Sequence, residues 1–437
     1  MDKFFKTQER GSSVGQELRA GLTTFLAMAY IIAVNPSLLS QAGVPVTAAV
    51  TATCIGAGVM TICMGLFSNR PLACASGMGV NAVVAFTLTA VAGGDWHAAN
   101  AVIFIEGVAI LVLVLCGLRG AIMDAIPVSL RHAISVGLGL FIAMIGLKDG
   151  GIIMANDSTM VALGDVFSPT FLVGLISIVA TVVVYSMNVK GALLIGIAIA
   201  VVAGIPLGIT QVPAGIVSGL DFSSVGAPFL PDESGVMGIA KVVTNPTLLI
   251  FAFSLMMSDF FDTMGTAMAV AKQGEFLTDD GNVEDIKQIL IVDSAAAAVG
   301  GLMGASSITT FVESTAGAAD GGRTGLTSVT TGVLFILAAF FTPIISIVSS
   351  AATCGALVLV GFLMMSEVVE IDWSDLLQGF PAFMIVIGVP MTYSISNGIG
   401  FGFIAYVIVA VVTGQIKKVK PLMWVATAAF LVYFLIA

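Results

Sequence analysis

The stretch "SSITTFVESTAG", Ser306–Gly317, decides the fold. Ile308, Thr309, Thr310, Phe311 and Val312 are β-branched or aromatic, the residues of a strand. An acid follows, Glu313, and then small residues with Gly317, Gly321, Gly322 and Gly325. The chain around it is 58% hydrophobic and only 10% charged, with a mean hydropathy of +1.09. Apolar runs of about 20 residues, the length of a bilayer-spanning helix, recur from end to end. The chain is therefore read as an all-α polytopic membrane protein, and the strand as a break in one of its spans. A β-barrel is a poor fit, because its short segments alternate polar and apolar residues.

Apolar segments fall at 18–40, 48–67, 72–91, 98–118, 127–147, 169–187 and 190–209, then at 246–271, 286–304, 307–320, 324–348, 352–367, 376–393 and 395–414. These are 14 transmembrane segments, seven on each side of a polar loop at 210–245. With the N-terminus placed in the cytoplasm, 14 of the 16 Lys and Arg fall inside and only Lys148 and Lys241 outside. That is the bias of the positive-inside rule. Seven is odd, so the second repeat (246–414) must run inverted relative to the first (1–209), as in many secondary transporters. A basic stretch and a short apolar segment close the chain at 415–437, either as a further span or along the interface.

In an inverted repeat, helices break at matching places, next to a substrate site near the midplane. The third segment, "RPLACASGMGVNAVVAF" (Arg70–Phe86), matches the tenth. In each, a short β-strand leads into a half-helix. Irregular backbone at membrane depth survives only against protein or a cavity. The two strands are expected to pair antiparallel, and the half-helix N-termini to point at one central spot.

Acids inside a membrane are costly and mark functional sites by default. Five fall in apolar segments: Glu106, Asp259, Asp262, Asp293 and Glu313. Asp259 and Asp262, at i, i+3, share a helix face and suit proton sharing. Glu313 sits at the break. Glu106, beside Gly107, is read as a helix-packing hydrogen-bond partner. Asp293 is divided between packing and function, as is Asn81 between backbone capping and ligand contact.

Other classes fall away. The net charge of −10 comes mostly from loop acids, and no basic cluster points to nucleic acid. The five cysteines are scattered singly and read as buried hydrophobes. No P-loop or HExxH motif is present, no cofactor is implied, and no nucleophile–base arrangement supports an enzyme. The polar N-terminus gives no expectation of a cleaved signal peptide. A carrier driven by an ion gradient remains, with H⁺ as the first expectation.

"NRPLACASGMGVNAVVAF", "SDFFDTMGT" and "SSITTFVESTAGAADGGRTGLTSV" resemble the azaguanine-like purine permeases, within the nucleobase–cation symporters of the uracil/xanthine permease type. The resemblance covers nearly the whole chain. It implies a core domain (18–118 plus 246–348), a gate domain (127–209 plus 352–414) and homodimers held by the gate domains. It implies proton-coupled uptake of adenine, guanine or hypoxanthine; the cycle expected at the cell membrane is an elevator or rocking movement of core past gate. Carried over, the family's acids fall on Asp259, Asp262 and Glu313 and its segment-3 polar contact on Asn81; with Thr310, Phe311 and Gly79 at the breaks, the substrate-binding residues expected are Asp259, Glu313, Asn81, Thr310, Phe311 and Gly79, and the proton-coupling residues Asp262, Asp259 and Glu313. Uracil-type carriers have Glu and His where this chain has Asp259 and Thr263, so the proton carrier stays open among the three acids. A purine's faces call for an aromatic, with Phe260, Phe311 and Phe25 as candidates. The alternatives are a xanthine or pyrimidine-base symporter, or an anion carrier of the same fold.

Overall fold

A computed structural model describes residues 2–117, 126–189, 191–210, 215–232, 235–278 and 282–436. In chain order, its main elements are α1 Val14–Met28, α2 Ile31–Gln41, α3 Val46–Phe67, β1 Cys74–Ser76, α4 Met78–Val91, α5 Trp96–Leu115 and α6 Val128–Asp149. A hairpin, β2 Ile153–Asn156 and β3 Met160–Leu163, precedes α7 Pro169–Ser186 and α8 Ala192–Gly204. Then come α9 Gly238–Thr244, α10 Pro246–Gln273, α11 Ile286–Met303, β4 Ile308–Thr310, α12 Ser314–Ala319 and α13 Gly325–Ala338. The chain ends with α14 Ser350–Met364, α15 Leu376–Met391, α16 Ile395–Val412 and α17 Pro421–Ile436. Among the described residues, nine helices are long and apolar enough to cross a membrane, counting α1 and α2 as one, or ten with the bent pair α9–α10.

The helices pack in two groups. In one, α13 lies on α1 and α3, and α11 on α3 and α5, with α10 against α5. In the other, α14 lies on α6, α7 and α8, while α15 joins α6 to α16. Small residues let the backbones touch: a Cβ at Gly325 would collide with the carbonyl of Gly65 where α13 crosses α3.

Several expectations change in detail. The first segment is broken at Ala29–Tyr30, between α1 and α2. The half-helix α12 is six residues long, far shorter than the apolar stretch 307–320, because β4 and the turn after it take up residues 308–313 and Gly321 (φ 96°) turns the chain just beyond its end. So short a helix adds little to a dipole. The loop 210–245 contains the helix α9, bent by 97° against α10. The hairpin β2–β3 was not anticipated; it is short and mostly exposed. The last apolar segment forms α17, Pro421–Ile436, which runs back along α16: Gly400 faces Phe430 and Phe434, and the Thr427 hydroxyl donates to the Met423 carbonyl one turn back.

The two ends of the molecule carry separate polar networks. At one end Arg70 pairs with Glu284 and Asp285, Arg19 with Asp320 and Arg323 with Glu275. Buried Glu17 accepts from the Arg323 and Thr324 amides and the Thr327 hydroxyl, closing the N-terminus of α13. At the other end Lys241 pairs with Asp95 and Asp232.

Candidate functional site

The site is built on two strands that meet from opposite halves of the chain. β1 and β4 pair antiparallel, with Cys74 opposite Thr310, Ala75 opposite Thr309 and Ser76 opposite Ile308. The pairing extends through Phe311 N to Ala73 O at 2.9 Å and Gly77 N to Ser307 O at 2.8 Å. An isolated pair of short strands is marginal. Here both outer edges are satisfied. Thr61 of α3 accepts from Cys74 N and donates to Cys74 O, each at 2.9 Å. Asp293 of α11 accepts from Thr310 N at 2.7 Å and from the Thr309 hydroxyl at 3.1 Å. Its other oxygen accepts from Thr263 of α10 at 2.6 Å. Thr61 and Asp293 occupy the helices just before the two strands, in corresponding places of the two halves. Asp293 is thus an anchor for the site's backbone.

Glu313 follows β4 and is half-buried. Its Oε1 accepts a 2.6 Å hydrogen bond from Tyr30, at the break between α1 and α2. Sequence reading missed Tyr30; its only signal was a tyrosine in an apolar run. Asp262 of α10 is accessible at its surface yet crowded by protein, within electrostatic reach of Asp293, Glu367 and Glu313. Val312 beside Glu313 is also exposed. Asp262 and Val312 thus stay accessible where the two groups of helices meet, with Asp262 within reach of Glu367 of the other group. Near Lys148 they are closed: Phe86 and Phe141 meet the ring of Tyr393 edge-on, the Lys148 amine lies over Phe86 and Tyr393, and Thr87 donates to the Tyr393 carbonyl.

The other expected residues fall into two sets. Asn81 and Thr310 are buried at the strand pair; the Asn81 amide donates to Ser76 O at 3.2 Å. The Asn81 Oδ1 and the hydroxyls of Ser76, Ser307 and Thr310 have no hydrogen-bond partner among the described residues. These orphaned atoms gather where the helices break and leave donors and acceptors free for a polar guest. Gly79 and Phe311 are packed away: a Cβ at Gly79 would collide with Leu138 of α6, and Phe311 is buried in the apolar core. Phe25 packs edge-on against Phe335. The side chain of Phe260 lies outside the described residues.

Asp259 and Asp262 do not form the matched pair that their spacing implies. Asp259 is 2% exposed, and neither of its oxygens has a hydrogen-bond partner among the described residues. The Thr309 hydroxyl lies close to it but donates to Asp293. Glu106 of α5, Asp293 and Asp262 all lie within electrostatic reach of Asp259. Glu106 is fully buried and makes no hydrogen bond among the described residues, so the packing role expected for it is corrected. The packing is done by Gly107, which lies against the backbone of Ala297 and Ala298.

A profile of the Permease family matches residues 15–401. A permease of Methanocaldococcus jannaschii is 40% identical over 99% of this chain and 98% of its own length. The guanine/hypoxanthine permease PbuO of Bacillus subtilis is 38% identical over 99% and 100%. The adenine permease AdeQ of Escherichia coli is 37% identical over 98% and 95%. Among solved structures, the transmembrane domain of a cyanobacterium bicarbonate transporter, BicA, superposes with a TM-score of 0.62 at 16% identity, covering 90% of this chain and 97% of that one. The murine anion transporter Slc26a9 gives 0.64 at 13% identity, covering 91% and 68%. The chain has their fold: it is a mostly helical, multi-pass membrane transporter and no enzyme. By its sequence it belongs to the Permease family.

Proposed function

We propose that the chain imports purine nucleobases (adenine, guanine or hypoxanthine) together with protons. The observation that carries this reading is the crossing of β1 and β4, with Glu313 at its edge and orphaned polar atoms of Ser76, Asn81, Ser307 and Thr310 around it. A purine has polar edges. A carboxylate accepts from its ring N–H or amine, and free hydroxyl and amide groups serve its nitrogens and carbonyl. Full-length relatives that carry adenine or guanine/hypoxanthine in their names support this substrate class.

In this reading 14 segments form two inverted repeats, and the core (18–118 plus 246–348) moves past the gate (127–209 plus 352–414) in an elevator cycle. The two packing groups, closed near Lys148 and accessible where they meet at Asp262, support such a movement and an inward-facing state. Asp262, exposed beside Glu313, is placed to exchange protons with the crevice, and Asp259 to bind purine or proton once the site rearranges. The N-terminus lies in the cytoplasm of a cell membrane, and gate domains pair in a homodimer.

An anion carrier is the second reading, because the fold neighbours are bicarbonate and anion transporters. The acid at the break speaks against it, since Glu313 repels an anion. Uptake of labelled adenine, guanine, hypoxanthine, xanthine, uracil and bicarbonate into proteoliposomes, with and without an inward proton gradient, tests both. Gradient-stimulated uptake of a purine supports the proposal. Uptake of bicarbonate alone sinks it, and purine uptake indifferent to the gradient removes the proton.

A further inference from the structure

Three helices that pack on one another each carry a buried carboxylate, and the three lie within electrostatic reach of one another: Glu106 of α5, Asp259 of α10 and Asp293 of α11. They are not equivalent. Asp293 spends both oxygens on Thr263, Thr309 and the Thr310 amide. Glu106 and Asp259 are 0% and 2% exposed, and all four of their oxygens lack a hydrogen-bond partner among the described residues. Bare carboxylates in such a place are too costly to persist.

The surrounding elements offer little relief. Of the charged groups, Asp293 acts on Glu106, and Glu106, Asp293 and Asp262 act on Asp259. On α11, Lys287 is exposed near one end, as is Lys272 on α10. On α9, Lys241 is spent on Asp95 and Asp232. Asp95 caps α5 eleven residues before Glu106, roughly 16 Å away at the rise of a helix. Helix α4 and the turn Ala227–Phe229 carry no charged residue.

We propose that Glu106 and Asp259 form a buried site for one small monovalent cation, a proton shared between the carboxyls or a sodium ion in its place. Resting on the transport reading above, it names the site of the coupling ion. The cation neutralises the charge beside β4, whose Thr309 and Thr310 face the purine site on one side and Asp293 on the other. Loading the cation then favours the strand geometry that binds purine, and by linkage the purine tightens the cation.

The test measures hypoxanthine affinity of the purified full-length protein against pH and sodium, for wild type, E106Q and E106D, with monodispersity and melting as folding controls. In wild type, affinity falls about tenfold per pH unit on the alkaline limb, as one linked proton requires. E106Q flattens that profile, and E106D retains it. Dependence on sodium instead of pH, lost in E106Q and kept in E106D, supports the site with sodium as occupant. A wild-type profile retained in E106Q overturns the proposal, as does a wild type indifferent to both cations. If wild type binds no purine, the transport reading fails, and difference infrared spectra decide the site separately. A protonated-carboxyl band, or its replacement by a sodium-induced carboxylate shift, that disappears in E106Q supports the site; spectra unchanged in E106Q overturn it.

Discussion

The Tyr30 hydroxyl donates a 2.6 Å hydrogen bond to Glu313 Oε1 across 283 residues of sequence. It ties the break in the first helical segment to the break beside β4. Both breaks are thereby held at one point of the site, and the orientation of the carboxylate is fixed by this bond.

Tyr30→Phe removes that donor and leaves the ring in place. A hydrogen bond to a charged group contributes ~1.5–3 kcal/mol, or about 10–100-fold in an equilibrium constant. Purine Kd of the purified variant is expected to rise within that range, with the melting temperature little changed. An unchanged Kd would separate Glu313 from substrate.

Glu313→Gln keeps shape and loses charge. Gradient-driven purine uptake in proteoliposomes is expected to vanish while the variant remains monodisperse. Wild-type uptake by the variant would move the site elsewhere.

Asp293→Asn should fail differently, because Asp293 holds backbone. It accepts three hydrogen bonds from Thr263, Thr309 and the Thr310 amide, and the substitution turns one accepting oxygen into a donor. An unmatched buried polar group costs about 1–3 kcal/mol. The measurable result is a lower melting temperature and lower folded yield, ahead of any change in ion dependence.

Gly65→Val places a branched side chain where α3 meets the backbone of α13 at Gly325. Overpacking of a tight contact costs about 1–3 kcal/mol and often more where backbone must move. Folded yield should fall sharply, and Gly65→Ala should fall between the two; equal yields would refute the contact.

Asp95 gives a pH signature outside the spanning segments. Burial pushes its carboxyl up, but hydrogen bonds from Lys241 and His97 outweigh burial and hold it below the ordinary carboxylate value. A depressed native value stabilises the fold above the unfolded value of about 3.9, and that contribution is lost as pH falls through the native value. Melting curves of wild type and Asp95→Asn should therefore converge in acid and separate at neutral pH, with wild type more stable.

Much of the architecture is legible along the chain. Twenty-residue apolar runs, a one-sided distribution of Lys and Arg, and two strand-like breaks follow from what a bilayer demands of each segment by itself. The antiparallel meeting of the two strands follows from the matching breaks, whereas their register, Cys74 opposite Thr310, is read only from the structure. The acids were legible as a set, because each stands out in an apolar run.

Their division of labour was not. Asp259 and Asp262 share a spacing that implies one face, yet one is buried and the other is accessible where the two groups of helices meet. Glu106 lies 153 residues before Asp259 in the chain, and no periodicity connects them. Asp293 became an anchor only because β4 arrives within 2.7 Å of it. Sequence by itself determined that this is a membrane chain with broken spans and intramembrane acids, since solvation by lipid acts on every segment separately. Tertiary structure alone decided which acid anchors, which faces the crevice and which stands unpartnered. Those properties depend on which donors a distant helix brings within hydrogen-bond reach.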